Sequence, residues 1–482
     1  MDEKLVTHIR SQNMIRPSLI SDDLMYNNKI LNHKSDYYTM VKYIDKFLNG
    51  ENINRYFVLP GIRDVGKSTI LFQIYNYLLR EKHIKPTNIM YISVDTLNQI
   101  SNSSIMDAIE VYLKITFDST IYTVKEPVFL LIDEAQYDKD WSLTGKIMFD
   151  ASKKIFMVFS GSSALDLSYN ADSARRLLRI PITPLNFSEH LKLKYDYHDN
   201  NISNEICDLV FNANTDNITK LNMKIIEAYS DINKFNLNEW DEFLKFGGFP
   251  SGLFQEKSEI MKTIVNTVDK VVSIDMNNLG GIYSKSLDVA YHLLYFFALQ
   301  HPGEVSYDSM ANNIDSNKNT VKKVLDVLIR TQIIFDIEAF TSSPKRSTKP
   351  KKYYYATSSI KHIMSSNLGN AILENENAYM GKLLENLVAS TLFNIENKRD
   401  FITKTYYDNA KKSSKNVDFI VQRGLEHPIP IEVSYGKKDK SQIVDAIKRY
   451  KASHGIIISD TTPNIVQKDN VIYIPPEIFA FM

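Results

Sequence analysis

Short, largely apolar runs alternate with stretches of helical spacing through the first 190 residues. The runs cover 56–59, 89–95, 127–132 and 155–159. Strands without a polar face are expected in a parallel sheet that helices cover on both sides. Helical spacing follows the first run, where Ile70, Leu71, Ile74 and Leu78 share one face, and it returns over 105–117. The alternation therefore predicts an α/β domain built on a parallel sheet.

A phosphate-binding signature lies where the first predicted strand meets its helix. Gly61 to Ser68 read GIRDVGKS and fit the P-loop pattern G-x-x-x-x-G-K-[ST]. Backbone N–H groups of such a loop face phosphate oxygens, the lysine reaches the β- and γ-phosphates, and the serine hydroxyl ligates Mg²⁺. A chance glycine-rich turn is the alternative, and the flanking strand and helix argue against it. The residues predicted to hold ATP here are Gly61, Ile62, Arg63, Asp64, Val65, Gly66, Lys67, Ser68 and Thr69.

Two acidic residues, Asp133 and Glu134, close the third apolar run. Ligands of open α/β sheets bind at the carboxyl ends of the strands, so these carboxylates are expected beside the P-loop. This Walker B pattern predicts that Asp133 holds Mg²⁺ together with Ser68, directly or through water. It also predicts Glu134 as the general base that polarises the attacking water, with Lys67 as its catalytic partner. An acidic helix cap after a buried strand would explain the same residues without catalysis.

Polar and basic residues follow the fourth apolar run. Ser160 and Ser162 end that strand, where a polar side chain can sense the γ-phosphate, although a simple turn also favours serine. Arg175, Arg176 and Arg179 come next, and guanidinium groups suit the charge of a phosphoryl group. A solvated helix face is the alternative for the arginines. We predict Ser160 as a nucleotide contact and Arg176 as a catalytic residue.

In this order the motifs resemble a family of archaeal and bacterial AAA+-type ATPases with a restriction-endonuclease-like fold at the C-terminus. The likeness includes the P-loop, LLIDEAQ at 130–136, FSGSS at 159–163, the arginines, and ITPLNFSEHL at 182–191. The resemblance places the family's catalytic arginine on Arg176, with Arg175 replacing the usual preceding glycine. It also implies a helical lid, whose motif matches FGGFP at 246–250.

Residues 291–360 predict a winged helix. Two short helices, 309–314 and 319–329, flank a tight turn, and two strand-like runs follow. Basic side chains cluster on the second helix and between the strands: Lys318, Lys322, Lys323, Lys345, Arg346, Lys349, Lys351 and Lys352. Such a patch can neutralise the phosphates of double-stranded DNA. A solvated face, a protein partner and a second copy of the chain are the alternatives.

Three acidic residues near the C-terminus fit a restriction-endonuclease-like (PD-(D/E)xK-type) α/β domain. Glu385 lies on a predicted helix, and Asp418 and Glu432 lie on predicted strands. In a live nuclease the carboxylates would bind a divalent metal that activates water, with a lysine assisting. Ser434 stands at the lysine position, and Lys437 lies beyond the strand pattern. The pattern predicts the fold and favours a degenerate binding or oligomerisation domain over a live nuclease.

Composition bears on the compartment and the partners of the protein rather than on its chemistry. Lys and Arg number 57, as do Asp and Glu, so any basic surface must be local. The single cysteine, Cys207, excludes an internal disulfide framework and thiolate zinc sites. No apolar run approaches the roughly 18 residues of a membrane span, and no apolar leader opens the chain. We therefore expect a cytoplasmic protein without a membrane partner.

Four regions are predicted: an ATPase core at 1–190, a helical lid at 191–290, a winged helix at 291–360 and an endonuclease-like domain at 375–482. The predicted function is an ATP-binding and ATP-hydrolysing AAA+-type molecular switch that uses Mg²⁺. Its C-terminal modules would bind DNA or a protein partner. The alternatives are an ATP-binding docking module without turnover and an ATP-regulated, metal-dependent nuclease.

Overall fold

The computed structural model describes residues 2–51, 53–162, 173–199, 201–276, 284–299, 303–346, 348–367, 375–398, 402–410, 416–436 and 440–482. The chain divides into two compact units, Met1–Thr183 and Pro184–Met482. Within the described ranges, no helix combines the length and the apolar character needed to cross a membrane.

A five-stranded parallel sheet forms the centre of the first unit, in the order β4–β5–β6–β3–β7. The strands of this unit are β1 (Met25–Tyr26), β2 (Lys29–Ile30), β3 (Tyr56–Pro60), β4 (Ile89–Ser93), β5 (Val128–Asp133), β6 (Ile155–Gly161) and β7 (Leu178–Arg179). β3, β5 and β6 are buried along their whole length, as their apolar sequences require. The predicted α/β fold with a parallel sheet is confirmed.

The α-helices that the structure describes in the first unit are α1 (Glu3–Asp23), α2 (Ser35–Leu48), α3 (Lys67–Asn76), α4 (Val94–Ile100), α5 (Ile105–Phe117) and α6 (Trp141–Ala151). α3 continues as a π-helical turn over Tyr77–Glu81. Ser104 begins α5 with a capping box, in which Ser104 and Asp107 bond each other's backbone N–H groups. Side chains of both sheet faces and of the covering helices make up the core.

Helix α1 was not predicted from the apolar spacing. Pro17 lies inside it and interrupts its sequence pattern, although Leu5, Ile9 and Ile20 are buried. α1 packs against α3, α5 and β4. One of these neighbours, β4, is the edge strand of the parallel sheet.

An eight-stranded mixed sheet organises the second unit, in the order β14–β15–β13–β12–β11–β10–β8–β9. Its strands are β8 (Ile334–Ala339), β9 (Lys352–Tyr355), β10 (Thr403–Tyr407), β11 (Phe419–Arg423), β12 (Ile429–Ser434), β13 (Gly455–Ser459), β14 (Val466–Lys468) and β15 (Val471–Ile474). β8 and β9 form an antiparallel hairpin, and β10 joins it in parallel with β8. The hairpin of the predicted winged helix thus shares a sheet with the C-terminal strands.

The α-helices of the second unit are α7 (Phe187–Tyr195), α8 (Ile202–Asn212), α9 (Ile218–Phe235), α10 (Glu239–Phe246), α11 (Lys257–Lys270), α12 (Ser284–Leu299), α13 (Tyr307–Asn313), α14 (Lys318–Arg330), α15 (Ser343–Arg346), α16 (Ser358–Ser366), α17 (Glu376–Lys398), α18 (Ser441–Tyr450) and α19 (Pro476–Phe479). α11 continues as a π-helical turn over Val271–Asp275. Asn317 caps α14, whose Val321, Val324, Leu325 and Leu328 face inward.

Helices α7 to α10 share one hydrophobic core with the mixed sheet. Apolar side chains of these helices, such as Leu191 and Leu209, pack in the same cluster as Ile431 and Ile456 of the strands. The Asn222 side chain of α9 exchanges two hydrogen bonds, of 2.9 and 3.0 Å, with the backbone of Ile465. The predicted lid helices are therefore part of the same folded body as the C-terminal strands.

Candidate functional site

The P-loop joins β3 to α3 in a conformation that its two glycines make possible. Gly66 has a φ of +92°, in the left-handed region that favours glycine, and it forms the cap of α3. A Cβ on Gly61 would lie 2.3 Å from the carbonyl oxygen of Ile182, closer than any side chain tolerates. Ile182 in turn donates its backbone N–H to Pro60 at 2.8 Å. The segment after β7 thus packs directly against the start of the loop and fixes its path.

Lys67 lies buried at the first position of α3. Its ammonium donates to the carbonyl oxygens of Gly61 at 3.0 Å and Ile62 at 2.9 Å, so it folds over the loop that it belongs to. Both acceptors are neutral, and a phosphate oxygen in the loop would be a stronger, charged acceptor. Lys67 is therefore placed to exchange the two carbonyl contacts for phosphate contacts.

Asp133 ends β5 and is held by donors from three places in the chain. Its Oδ1 accepts hydrogen bonds from the Ser160 hydroxyl of β6 and, at 3.0 Å, from the backbone N–H of Glu134. Its Oδ2 accepts a 3.2 Å bond from the hydroxyl of Tyr91 on β4. Burial, with the charge of Asp133 adding, raises the pKa of Tyr91, so the hydroxyl stays protonated and donates. The acid and Ser160, predicted separately, are in direct contact.

Glu134 follows with a φ of +53°, an uncommon conformation for a non-glycine residue. Its carboxylate accepts a 2.5 Å hydrogen bond from the Gln136 amide, and the amide oxygen of Gln136 accepts the N–H of Ser162 at 3.2 Å. Burial raises the pKa of Glu134, while the charge of Lys67 opposes the shift. Glu134 is thus held by its neighbours, near Lys67 and with raised basicity, as a general base requires.

The other P-loop residues surround the same point. Ile62 and Val65 are buried, Ser68 and Thr69 are half-buried at the start of α3, and Asp64 is exposed. Arg63 donates to the Tyr137 hydroxyl at 3.3 Å. The residues that could hold magnesium are Ser68 and Asp133, a hydroxyl and a carboxylate of the kind this ion prefers. No group of three or more His, Cys, Asp or Glu side chains within the described ranges is arranged to hold a metal by itself. The Ser68 hydroxyl and the Asp133 carboxylate fit magnesium, an ion that also takes phosphate and water ligands.

Several residues of the site were missed by sequence reasoning. Lys34 is buried just before α2 and donates to the carbonyl oxygens of Thr183 at 2.7 Å and Val65 at 3.4 Å. Tyr91 and Gln136 hold the two acids. Gln136 lies in the quoted LLIDEAQ segment and could have been found there, but Lys34 and Tyr91 lie outside every motif.

Arg176 lies at the opposite end of the sheet. Its Nε is 2.7 Å from the carboxylate of Asp150, near the carboxyl end of α6, which leads into the amino-terminal end of β6. Because β7 runs parallel to β3, Arg176 precedes it at the amino-terminal edge, whereas the P-loop follows the carboxyl-terminal edge. Five strand residues at about 3.3 Å each separate the two edges by about 16 Å. The structure does not bring Arg176 to the P-loop of its own chain.

The three carboxylates of the second unit surround a lysine from the hairpin. Lys352 opens β9, and its ammonium lies 3.5 Å from Glu385 of α17, with both side chains largely buried. The Tyr354 hydroxyl donates to the same carboxylate at 2.8 Å. Burial alone would lower the pKa of Lys352, but Glu385, Asp418 and Glu432 together raise it. The charge at the centre of this cluster is therefore an ammonium of the chain itself.

Ser434 has a buried Oγ without a hydrogen-bond partner among the described residues. Lys437, the other residue considered for the missing nuclease lysine, lies outside the described residues, as does Ser163 of the FSGSS segment.

The basic residues of the predicted wing divide into two groups. Lys351 pairs with Asp336 at 2.6 Å, and Lys318 pairs with Asp308 at 2.7 Å. Arg346 packs over the Tyr406 ring, and Lys352 is committed to Glu385. The exposed remainder is Lys322, Lys323, Lys345 and Lys349.

Comparison with known families divides the chain into three segments. Residues 54–191 match an AAA domain. Residues 237–370 match a domain of unknown function (DUF8612), and residues 380–479 match another (DUF4143).

Two relatives from the archaeon Methanocaldococcus jannaschii match almost the whole chain. The uncharacterized protein MJ1637 is 31% identical over 447 residues, which cover 93% of this chain and 89% of the relative. The uncharacterized protein MJ1544 is 24% identical over 453 residues, covering 92% and 88%. Among solved structures, the Walker-type ATPase PABY2304 of Pyrococcus abyssi aligns with a TM-score of 0.41 and 11% identity, over 71% of this chain and 97% of that one.

Proposed function

Because this chain belongs to the family of MJ1637 and carries an AAA domain, we propose that it binds ATP with Mg²⁺ and hydrolyses it as a molecular switch. One observation carries the proposal. The P-loop follows β3, Asp133 ends β5 and Glu134 comes next, and Ser160, on the strand between β3 and β5, donates a hydrogen bond to Asp133. This arrangement gathers a phosphate cradle, a magnesium ligand and a base at one edge of a single sheet.

Each residue has a role in the proposed reaction. Loop N–H groups and Lys67 bind the β- and γ-phosphates, and Ser68 and Asp133 would hold the ion. Magnesium, when bound, offsets the negative charge that builds up on the phosphates. Glu134 accepts a proton from water as the water oxygen bonds to the γ-phosphorus. The bond to the bridging oxygen breaks, and ADP and phosphate leave.

Arg176 fits this scheme only with a second copy of the chain. Since it lies at the far edge of its own sheet, a catalytic guanidinium at this position would have to act on a neighbouring copy's nucleotide. The pairing with Asp150, whose partner atoms are both partly exposed, leaves it accessible for such a contact.

The C-terminal half is proposed as the part that the nucleotide state controls. α13 and α14, joined by a tight turn and followed by the β8–β9 hairpin, fit a winged helix. Lys322, Lys323, Lys345 and Lys349 would contact duplex phosphates, whereas Lys318, Lys351 and Lys352 are engaged by acids of the same chain. A protein partner at the same surface is the other candidate.

A nuclease is disfavoured. Ser434 stands where the nuclease pattern expects its lysine, and the lysine that does reach Glu385, at 3.5 Å, is Lys352 from a different strand, β9. The geometry supports a structural or binding role for the C-terminal sheet.

ATP turnover and binding by two variants test the proposal. Lys67→Ala should lower turnover at least about 100-fold, because it removes a preorganised donor to the phosphates. Glu134→Gln should bind ATP as tightly as the wild type and turn it over about 100-fold more slowly, because it lacks the base. Lys85→Ala, at an exposed lysine before β4, is the matched control and should behave as wild type.

Unchanged turnover in Lys67→Ala would contradict an ATPase at this site. Stoichiometric ATP binding without turnover in the wild type, with and without duplex DNA, would instead favour the docking module. Stimulation of turnover by duplex DNA, lost at high salt, would identify DNA as the partner of the exposed lysines.

A further inference from the structure

The Asp133 carboxylate has a definite number of free acceptor positions. Each carboxylate oxygen carries two lone pairs. Oδ1 receives the Ser160 hydroxyl and the Glu134 N–H, which use both of its lone pairs. Oδ2 receives the Tyr91 hydroxyl at 3.2 Å, which uses one. Among these described contacts, the remaining lone pair of Oδ2 is the one left for magnesium or a magnesium-bound water.

The Tyr91 ring packs against side chains from two neighbouring helices. The guanidinium carbon of Arg16, on α1, lies 4.5 Å from the centre of the Tyr91 ring. The Phe72 ring of α3 lies 5.0 Å from it. Arg16 also contacts Phe72 at 5.2 Å and pairs with Asp23 at 2.8 Å. The ring is thus packed against α1 and against the helix that carries the P-loop.

We propose that Tyr91 is a positioning residue of the magnesium-nucleotide site, which fixes the rotation of the Asp133 carboxylate and so would keep the remaining lone pair of Oδ2 available to magnesium or to a magnesium-bound water. The inference rests on the proposed function and adds a residue that lies outside both nucleotide-binding motifs. Without the Tyr91 hydroxyl, Oδ2 loses the donor that sets its orientation, while the P-loop remains intact. The loss should therefore weaken the magnesium-dependent part of nucleotide binding and leave the magnesium-free part unchanged.

The chain provides a matched control. Tyr75 is a buried tyrosine of α3, and its hydroxyl has no hydrogen-bond partner among the residues that the structure describes. Tyr91→Phe and Tyr75→Phe each remove one buried hydroxyl from the same unit and keep the ring. Only the first removes a contact to Asp133.

Binding of a fluorescent ATP analogue, measured in EDTA and over a magnesium titration, tests the proposal in the full-length chain. Tyr91→Phe should need about 10- to 100-fold more magnesium for the half-maximal effect, the usual consequence of losing a partner of a metal ligand. Its affinity in EDTA should stay within about twofold of wild type. Tyr75→Phe should match wild type in both measurements, and the urea midpoints of both variants should show that they fold.

Three results would contradict the proposal, and each has a different meaning. If Tyr91→Phe keeps the wild-type magnesium dependence, the positioning role is wrong and the ATP site stands. If it loses affinity equally with and without magnesium, Tyr91 acts through packing, and the proposal is overturned in favour of a structural role. If the wild type binds no nucleotide at all, both the positioning role and the proposed function fail.

Discussion

At the scale of single residues, several donors can hold one buried carboxylate outside the nucleotide site. Glu239 is such a case. Its buried side chain accepts bonds from His190 at 2.5 Å, Lys194 at 2.8 Å, Tyr195 at 2.6 Å and Asn236 at 3.0 Å. Burial would raise the pKa of Glu239, but these donors outweigh it and lower the pKa to about 2. The charge of this residue therefore stabilises the junction of α7 and α10.

Glu239→Gln should destabilise the protein by about 3 kcal/mol at pH 7, from a shift of between two and three pKa units at about 1.4 kcal/mol each. A lowered folded pKa stabilises fully above the unfolded value of 4.5, and the stabilisation is lost as the pH falls towards 2. The difference in urea midpoint between variant and wild type should thus be constant from pH 7 to 5 and shrink below pH 4.5. Glu227→Gln, at an exposed glutamate of α9, is the control.

A difference that stays the same at low pH would show that Glu239 acts through shape rather than charge. His190 also lowers the stability of the wild type in acid. Burial lowers the pKa of His190, so its protonation at low pH opposes folding.

Sequence reasoning can name the residues that a local motif defines. Lys67, Ser68, Asp133 and Glu134 lie in short patterns whose spacing reflects the chemistry, and the structure gathers them at one sheet edge. Contacts such as Tyr91 with Asp133 join positions 42 residues apart, and a single sequence carries no signal of that pairing. Arg176 illustrates the converse, because its residue type suits a phosphate while its strand register places it elsewhere.

At the scale of elements, strand β9 connects the β8–β9 hairpin to helix α17. Asn386 of α17 exchanges two hydrogen bonds with the backbone of Tyr355, of 2.9 and 3.0 Å, and so closes an edge of the mixed sheet. Lys352, on the same strand, meets Glu385 on the same helix. The basic sequence around Lys352 predicted that it lies on a DNA-facing wing. In the structure Lys352 is instead a buried counter-ion of Glu385.

Lys352→Met should destabilise the protein by about 3–5 kcal/mol at pH 8, because it leaves buried carboxylates without their cation. Burial raises the pKa of Glu385 to about 7. A carboxyl with a raised pKa favours folding in its protonated form, and this contribution is lost as the pH rises through 7. The variant should therefore lose less stability at pH 6 than at pH 8, as urea unfolding would measure.

Two further variants complete that experiment. Lys352→Met combined with Glu385→Gln should recover part of the stability, because the carboxylate that Lys352 contacts no longer carries an uncompensated charge. Lys349→Met, at an exposed lysine of the same hairpin, should be neutral. If Lys352→Met proves as stable as Lys349→Met at both pH values, the lysine does not neutralise the cluster.

At the scale of the whole molecule, the chain folds as two units with different sheets. The parallel sheet follows from wholly apolar strands alternating with helices, a pattern that is readable from one sequence. The second unit was less predictable. Several of its helices and strands were predicted individually, but β10, β14 and β15 were not. The common core packs helices α7 to α10 against strands that come much later in the chain, and apolar spacing shows which face of an element is buried without showing which element covers it. The structure separates two compact units, Met1–Thr183 and Pro184–Met482. The finer division into four regions remains a prediction.

A crystal structure of the full chain with a non-hydrolysable ATP analogue and magnesium would show whether the nucleotide and its ion occupy this site. We expect a triphosphate within the loop from Gly61 to Ser68, with the Lys67 ammonium moved from the carbonyl oxygens of Gly61 and Ile62 to the phosphates. It also predicts the ion between Ser68 and the Oδ2 side of Asp133. Phosphates bound elsewhere, or a Lys67 that stays on the two carbonyls beside a bound nucleotide, would contradict it.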